Sequence, residues 1–281
     1  MIHLFNGLVY GALLIVMCSG LALIYGLRRV VNFAHGSLYM LGAYLGYTIA
    51  SYSNFWVALV AAPAIMLLLG AALDRFGFRL LQDRDPLTVV LVTFGLLLVI
   101  EDVVQTVWGK GNLSLAAPAL LSRTVDLLGT PVPAYRIAVI AVGAAVAIGL
   151  TLWLRWSRVG LFVRASSTDP TTTAMQGVNT DLLSAGVVGL GTALAGLAGV
   201  VAAPFLALSP SMSSDVLIDS FVVVVIGGLG SLAGAFVTAL VLGQVQALGA
   251  VFLPDVAALL PFALMVAVLL WKPAGLAGSR T

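Results

Sequence analysis

From Leu4 to Leu27 the chain carries no formally charged side chain. A run of that length is what a lipid core about 30 Å thick demands of one helix, at roughly 20 apolar residues. Similar runs recur in order: Ser37–Ser53, Phe55–Leu73, Leu87–Val107, Ala134–Leu154, Leu182–Ala203, Ser231–Phe252 and Val256–Trp271, separated by charges or turn residues. The pattern predicts an all-α fold, a polytopic membrane helical bundle of about eight spans forming a single transmembrane domain over residues 1–281. Composition agrees: charged residues are 9% of the chain, 13 basic and 11 acidic, where a soluble domain carries about 25%. So few charges cannot wet the surface of a soluble fold of this size, which excludes a soluble enzyme domain.

The last third is less regular. Ser220–Ile226 is apolar but too short to span, and Gly227, Gly228 and Gly230 break it before Ser231–Phe252 continues. It reads as a half-helix, the broken or re-entrant glycine-rich segment of the bundle. Irregular backbone survives at membrane depth only inside protein or along a wet cavity. Basic residues near helix ends set orientation. With the N-terminus outside, Arg28, Arg29, Arg75, Arg79, Arg84, Arg155, Arg158, Arg164, Lys272 and Arg280 lie inside and only Lys110, Arg123 and Arg136 outside. That count requires Ser220–Phe252 to enter and leave on the outer side as a hairpin. Pro204–Asp219 and Leu253–Asp255 are then outer loops free of Lys and Arg. Trp108–Pro133, with Pro118, Pro131 and Pro133, is the longest outer connection, and Arg155–Asp181 the largest inner one.

The lone Cys18 rules out a disulfide framework, and a net charge of +2 with no basic stripe gives no reason to expect a nucleic-acid partner. No Lys or Arg precedes the first apolar run, so it reads as part of the mature protein rather than as a signal peptide. Phosphate-loop, zinc and nucleophile-elbow motifs are missing from the sequence, so no catalytic residue, metal or cofactor is expected on this chain.

Four features remain. In Asn32-Phe33-Ala34-His35-Gly36-Ser37, Ser37 can cap a helix whose N-terminus lies beside an unwound Gly36, a place that favours an anionic group such as a substrate carboxylate. The alternative is an inner turn in which Asn32 and His35 satisfy backbone groups. In Gly227-Gly228-Leu229-Gly230-Ser231, glycines permit a broken backbone and Ser231 takes the capping role proposed for Ser37. The shared Gly-Ser-Leu letters hint at an internal repeat, since broken helices of transporter halves often meet near the substrate path. A plain glycine hairpin is the other reading. Glu101 lies roughly 21 Å along a helix starting at Leu87, in the outer third of the core, next to Asp102. One of these carboxylates either lines an outer vestibule or snorkels to water. Finally, Asp169 as N-cap, Pro170 at the first helical position and Gly177 as the stop predict a two-turn inner helix over Pro170–Gln176, a docking feature by its shape. Arg155, Arg158 and Arg164 read as positive-inside anchors, which leaves the short helix as the functional feature of this loop.

The run Ile24–Tyr44, IYGLRRVVNFAHGSLYMLGAY, resembles the opening motif of LivH-type permeases, the membrane subunits of branched-chain amino-acid ABC importers. SRVGLFVRASSTDPTTTAMQGVNTD at Ser157–Asp181, VVVVIGGLGSLAGA at Val222–Ala235 and KPAGLA at Lys272–Ala277 agree in order and spacing. The resemblance implies a multi-pass protein of a bacterial cytoplasmic membrane that forms a translocation path for branched-chain or related amino acids. It implies four kinds of neighbour: a second, LivM-like permease, two cytosolic ATPase subunits that bind the ATP, an extracytoplasmic solute-binding protein, and the surrounding lipid. On this reading Asn32, His35, Gly36, Ser37, Glu101, Gly227, Gly228, Gly230 and Ser231 line the substrate path. Arg164, Asp169, Pro170, Thr173, Ala174 and Gly177 meet the ATPase. An ion-coupled secondary transporter or channel is the alternative from another class. It requires an embedded ionisable relay, and beyond Glu101 and Asp102 the apolar runs supply almost none.

Overall fold

The structure, a computed structural model, describes residues 2–29, 32–81, 84–127 and 130–277. Arg280 of the orientation count lies outside the described residues. Eleven α-helices are present among them: α1 Ile2–Arg28, α2 His35–Tyr52, α3 Phe55–Phe76, α4 Pro86–Trp108, α5 Ala134–Trp156, α6 Arg158–Thr168, α7 Pro170–Met175, α8 Thr180–Ala202, α9 Met212–Gly227, α10 Leu232–Phe252 and α11 Leu260–Trp271. Among the described residues seven segments are long and apolar enough to cross a membrane: α1, α3 with the short turn after it, α4, α5, α8, α10, and α11 with the turn before it. The chain is a multi-pass membrane protein. Arg28, Arg75 and Arg155 mark the last turns of α1, α3 and α5, and Lys272 follows α11, so these four define a basic end of the bundle.

Burial sorts the helices. α1 and α8 are buried along most of their length, and α8 packs against α1, α2 and α3. α3, α4, α5, α10 and α11 present apolar side chains outward, among them Val60, Leu68, Leu91, Val99, Ile148 and Leu270. An exposed Leu on such a face costs nothing in lipid. Between the central helices hydrophobic burial supplies no drive, and close backbone approach takes its place. Gly42 of α2 faces the Gly196 backbone of α8, and Gly20 of α1 faces the Gly191 carbonyl. A Cβ at either position would run into main chain.

The far end is fastened by its connections. Leu113 and Leu208 exchange two backbone hydrogen bonds of 3.0 and 2.8 Å, tying the α4–α5 connection to the α8–α9 connection. The former also holds a short antiparallel hairpin, β1 Thr124–Leu127 with β2 Thr130–Pro133, in register Val125 to Val132. Pro131 and Pro133 lie within β2 and mark turn chemistry without announcing a ladder, so the hairpin is an addition to the all-α expectation. Tyr135 at the start of α5 donates to the Val201 carbonyl at 2.7 Å, and Arg136 lies 5.5 Å over the Phe205 ring.

Two boundaries differ from expectation here. α9 starts at Met212, not near Ser220, so Pro204–Asp219 is not wholly an outer loop: its last eight residues are helical, with Asp215 and Asp219 on that helix. Sixteen residues make about 24 Å, somewhat short of a full crossing. α9 and α10 form a hairpin that enters and leaves at the same end, its turn beside Gly26 near the basic end of α1. Within Arg155–Asp181, α6 precedes the expected short helix. Ser157 caps it by accepting from the Gly160 N–H at 2.8 Å, and Gly160 lets it fold back on the Trp153 and Leu154 backbone.

Candidate substrate path and inner docking unit

α2 begins inside the bundle. His35, fully buried, donates from Nε2 to the Met17 carbonyl at 2.9 Å, and its ring abuts Gly20. Met17 and Gly20 lie 11 and 8 residues before Arg28, so α2 starts about 12 to 16 Å short of the basic end. The connection therefore carries irregular backbone into the core, where protein must satisfy it. Asn32 does so: its Oδ1 accepts from the Ala34 N–H at 3.0 Å. This corrects the expected capping. Ser37 is not the cap of α2 but sits in its first turn and donates back to the Ala34 carbonyl at 2.9 Å, and Gly36 is helical rather than unwound. Gly36 serves close approach instead, since a Cβ there would strike the Ser213 carbonyl of α9. The Asn32 Nδ2 and His35 Nδ1 atoms, with the hydroxyls of Tyr39 and Tyr44, are buried and find no hydrogen-bond partner among the described residues.

Ser213 gathers a second contact. Its hydroxyl donates to Glu101 of α4, which is half-buried, while Asp102 is exposed. Gly36, Ser213 and Glu101 thus meet where α2, α4 and α9 converge. One and a half turns further along α9, Asp219 accepts from Tyr10 of α1 at 2.7 Å and from Gln246 of α10 at 3.2 Å. A cleft of about 390 Å³ opens beside it, with Asp215, Ile218, Ala257, Pro261 and Phe262 among its walls. Tyr10, Ser213, Asp219 and Gln246 escaped the sequence reading. The available signal was Asp215 and Asp219 one turn apart between Ser213 and Ser220, a polar stripe at helical spacing.

The glycine break lies elsewhere. Gly228 and Gly230 have φ of 98° and 86°, a left-handed backbone that only glycine adopts freely. Ser231 caps α10 by accepting from the Gly234 N–H at 3.1 Å. Gly227 closes on Gly234, and Gly275 on Gly228, while the Leu276 and Ala277 N–H groups donate to the Ile226 and Gly227 carbonyls. The chain end thereby seals the turn. Gly230 neighbours Gly26, nine residues or about 13 Å along α1 from the Met17 partner of His35. The two breaks do not meet, and with Ser37 not a cap the resemblance between them stops at the letters.

At the basic end, Asp169 caps α7. Its carboxylate accepts from the Thr172 N–H at 3.0 Å and from the Thr172 hydroxyl, which hold its pKa below the usual aspartate range. Pro170 takes the first helical position, and Gly177 leaves at φ 83°. α7 closes at Met175, one residue before the expected Gln176. Thr173 is buried, its hydroxyl donating to the Asp169 carbonyl at 2.7 Å, while Ala174 and Arg164 are exposed. Deeper at this end, Arg28 pairs with the buried Asp74 at 2.6 Å, and Ser184 donates to the same oxygen at 3.1 Å, joining α1, α3 and α8. A groove of about 610 Å³ lined by Trp153, Val159, Phe162 and Leu182 runs between α5–α6 and the start of α8.

Comparison with known proteins agrees with this architecture. The family model for the branched-chain amino acid transport system permease component matches residues 3–269. The high-affinity branched-chain amino acid transport system permease proteins BraD of Pseudomonas aeruginosa and LivH of Salmonella typhimurium are 29% and 27% identical, over 98% of this chain and 95% and 94% of theirs. LivH of Escherichia coli K12 is 26% identical over 98% and 94%. No solved structure matches. With nearly its whole length matched, and with transport rather than catalysis as the family's work, the chain belongs to the permease-component family of branched-chain amino acid transport systems.

Proposed function

We propose that this chain is a permease subunit of an ABC importer, forming with a second, LivM-like permease the path for branched-chain or related amino acids. The match to a permease component carries the reading, because a component implies further parts. Two ATPase subunits bind ATP and dock on α6–α7, where Arg164 of α6 and Ala174 of α7 are exposed and Asp169, Pro170 and Thr173 hold rigid the short helix that Gly177 ends. A solute-binding protein delivers substrate at the far end, which faces outside in a bacterial cytoplasmic membrane. Transport is then alternating access, driven when ATPase closure shifts the inner unit. Asn32, His35, Gly36 and Glu101 belong to the path where α2, α4 and α9 converge. Ser37 sits in the first turn of α2 beside it, and Gly227, Gly228, Gly230 and Ser231 form the separate α9–α10 turn toward the inner end of the path. The relatives' names point to branched-chain amino acids as the cargo.

The ion-coupled alternative gains one observation, the Asp219 carboxylate at membrane depth with Tyr10 and Gln246. Reconstitution separates the two. The chain, a LivM-like permease partner and two ATPase subunits are placed in proteoliposomes with the solute-binding protein, and uptake of labelled leucine is followed. Uptake that requires ATP inside the ATPase compartment supports the ABC reading. Uptake by the permeases alone, driven by an imposed proton gradient, overturns it.

A further inference from the structure

We propose that Arg29 is the positioning residue that couples movement of the inner α6–α7 unit to the broken start of α2. The inference rests on the ABC reading above and adds the contact through which the docked unit acts on the bundle.

α6 does not join the main core. It meets α1 and α8 through a separate small apolar cluster, Val163 with Leu23 and Val187. Beyond that cluster a cleft of about 460 Å³ opens between the end of α1, the α6–α7 corner at Ser166–Thr171, and Thr180 and Ser184 of α8. The Arg29 guanidinium crosses it. Its Nη2 donates to the Ser167 carbonyl at 3.0 Å, the one hydrogen bond among the described residues between the α1 end and the α6–α7 unit. Arg29 is also the one non-glycine residue with positive φ among them, at 53°. Such a backbone is unfavourable for a residue with a side chain, and here it falls where the chain leaves α1 and the side chain reaches across the cleft.

The neighbouring arginine has a different task. Arg28 is held by Asp74, itself bound by Ser184, so it ties α1 to α3 and α8. Arg29 reaches away from that frame to the unit outside it. Three residues on, Asn32 is buried and holds the Ala34 N–H, and His35 and Gly36 then abut Met17 and Ser213. A displacement of α6–α7 pulls on Arg29 and so on a short connection that ends where α2, α4 and α9 meet. The apolar contact of α6 is a separate small cluster, Leu23, Val163 and Val187 with Leu27, Trp153 and Leu183 among the side chains packed on it, so the unit can shift apart from the main core with Arg29 as its polar link to the end of α1.

The test uses the full complex in proteoliposomes, with Arg29→Ala, Arg29→Lys and the wild type compared. Three quantities are read: ATPase retained on purification, ATP hydrolysed, and leucine taken up per ATP. The expected result for Arg29→Ala is retained ATPase and hydrolysis with uptake per ATP reduced about threefold or more, the scale of a solvent-exposed hydrogen bond from a charged donor. Arg29→Lys, which keeps a charged donor, restores part of it. Should the alanine variant fail to fold, Arg29→Gln, with an N–H donor and no charge, is expected to lower the same ratio. An unchanged ratio overturns the proposal. So does loss of ATPase in proportion to uptake, which makes Arg29 a docking contact. Wild-type uptake that needs no ATP instead overturns the ABC reading itself.

Discussion

Asp169 and Ser37 show how far a single residue can be read from its neighbours. The capping of α7 is local: Asp169, Pro170 and Thr172 fix it within four positions, and so it was legible. Ser37 has the same chemistry, yet Asn32 already holds the Ala34 N–H, so the cap falls three residues earlier at Ala34 and the serine turns back on the Ala34 carbonyl. Asp219 was invisible because its partner Tyr10 is 209 residues away in sequence. Two predictions belong here. Asp169→Ala is expected to remove the cap, lowering ATPase co-purification while membrane insertion stays normal, and Asp169→Asn, also a good cap, to retain it. Because the folded pKa is depressed, the cap is fully present above the ordinary aspartate value near 3.9 and is lost only as pH falls through the lower folded value. Docking should accordingly not vary with Asp169 titration between about pH 5 and 8. Glu101→Gln and Ser213→Ala each disturb the α4–α9 contact, and each is expected to lower leucine uptake. If both variants transport at the wild-type rate, Glu101 is an ordinary boundary carboxylate.

At the scale of elements, apolar runs predicted helices well, because lipid leaves the backbone no other partner than itself. Legibility failed at two helices that are not apolar, α9 and α6. α9 carries Ser213, Ser214, Asp215, Asp219 and Ser220, and such a sequence reads as loop until Tyr10, Gln246 and Glu101 are seen to meet it. α6 was hidden likewise, its arginines reading as anchors. The glycine excess did announce close packing, and the structure distinguishes which glycines carry it. Gly42→Ala places a methyl against the Gly196 backbone, with no side chain free to yield. Overpacking of this kind costs about 1–3 kcal/mol, so the variant is expected to melt at a lower temperature in detergent. Gly95→Ala meets nothing within 4 Å, and a helical glycine gives up about 0.5–1 kcal/mol relative to alanine. Its melting temperature is expected to hold or rise. Equal losses from both substitutions would mean that helix propensity, not the α2–α8 approach, sets the response.

For the whole molecule, the described basic residues and the path of the chain agree on two ends. α9 and α10 enter and leave on one side, as the residue count required, so α11 returns to place Lys272 with Arg28, Arg75 and Arg155. That agreement is internal to the bundle: it relates helix ends to each other, and an inverted insertion would preserve every contact. What breaks the symmetry is the positive-inside bias, which acts on Lys and Arg near helix ends during insertion. Ser122 lies exposed in the α4–α5 connection, and Met175 stands out on α7 at 79% exposure. With the buried Cys18 replaced, single cysteines at these positions report the two ends in cells expressing the chain without its ATPases. An impermeant thiol reagent is expected to label position 122 in intact cells and position 175 only after permeabilisation. The reverse pattern would put α6–α7 outside, where no ATP-driven subunit could reach it, and would overturn the orientation and the docking assignment together. A correct orientation with failed uptake would leave the fold standing and move the question to the partner subunits.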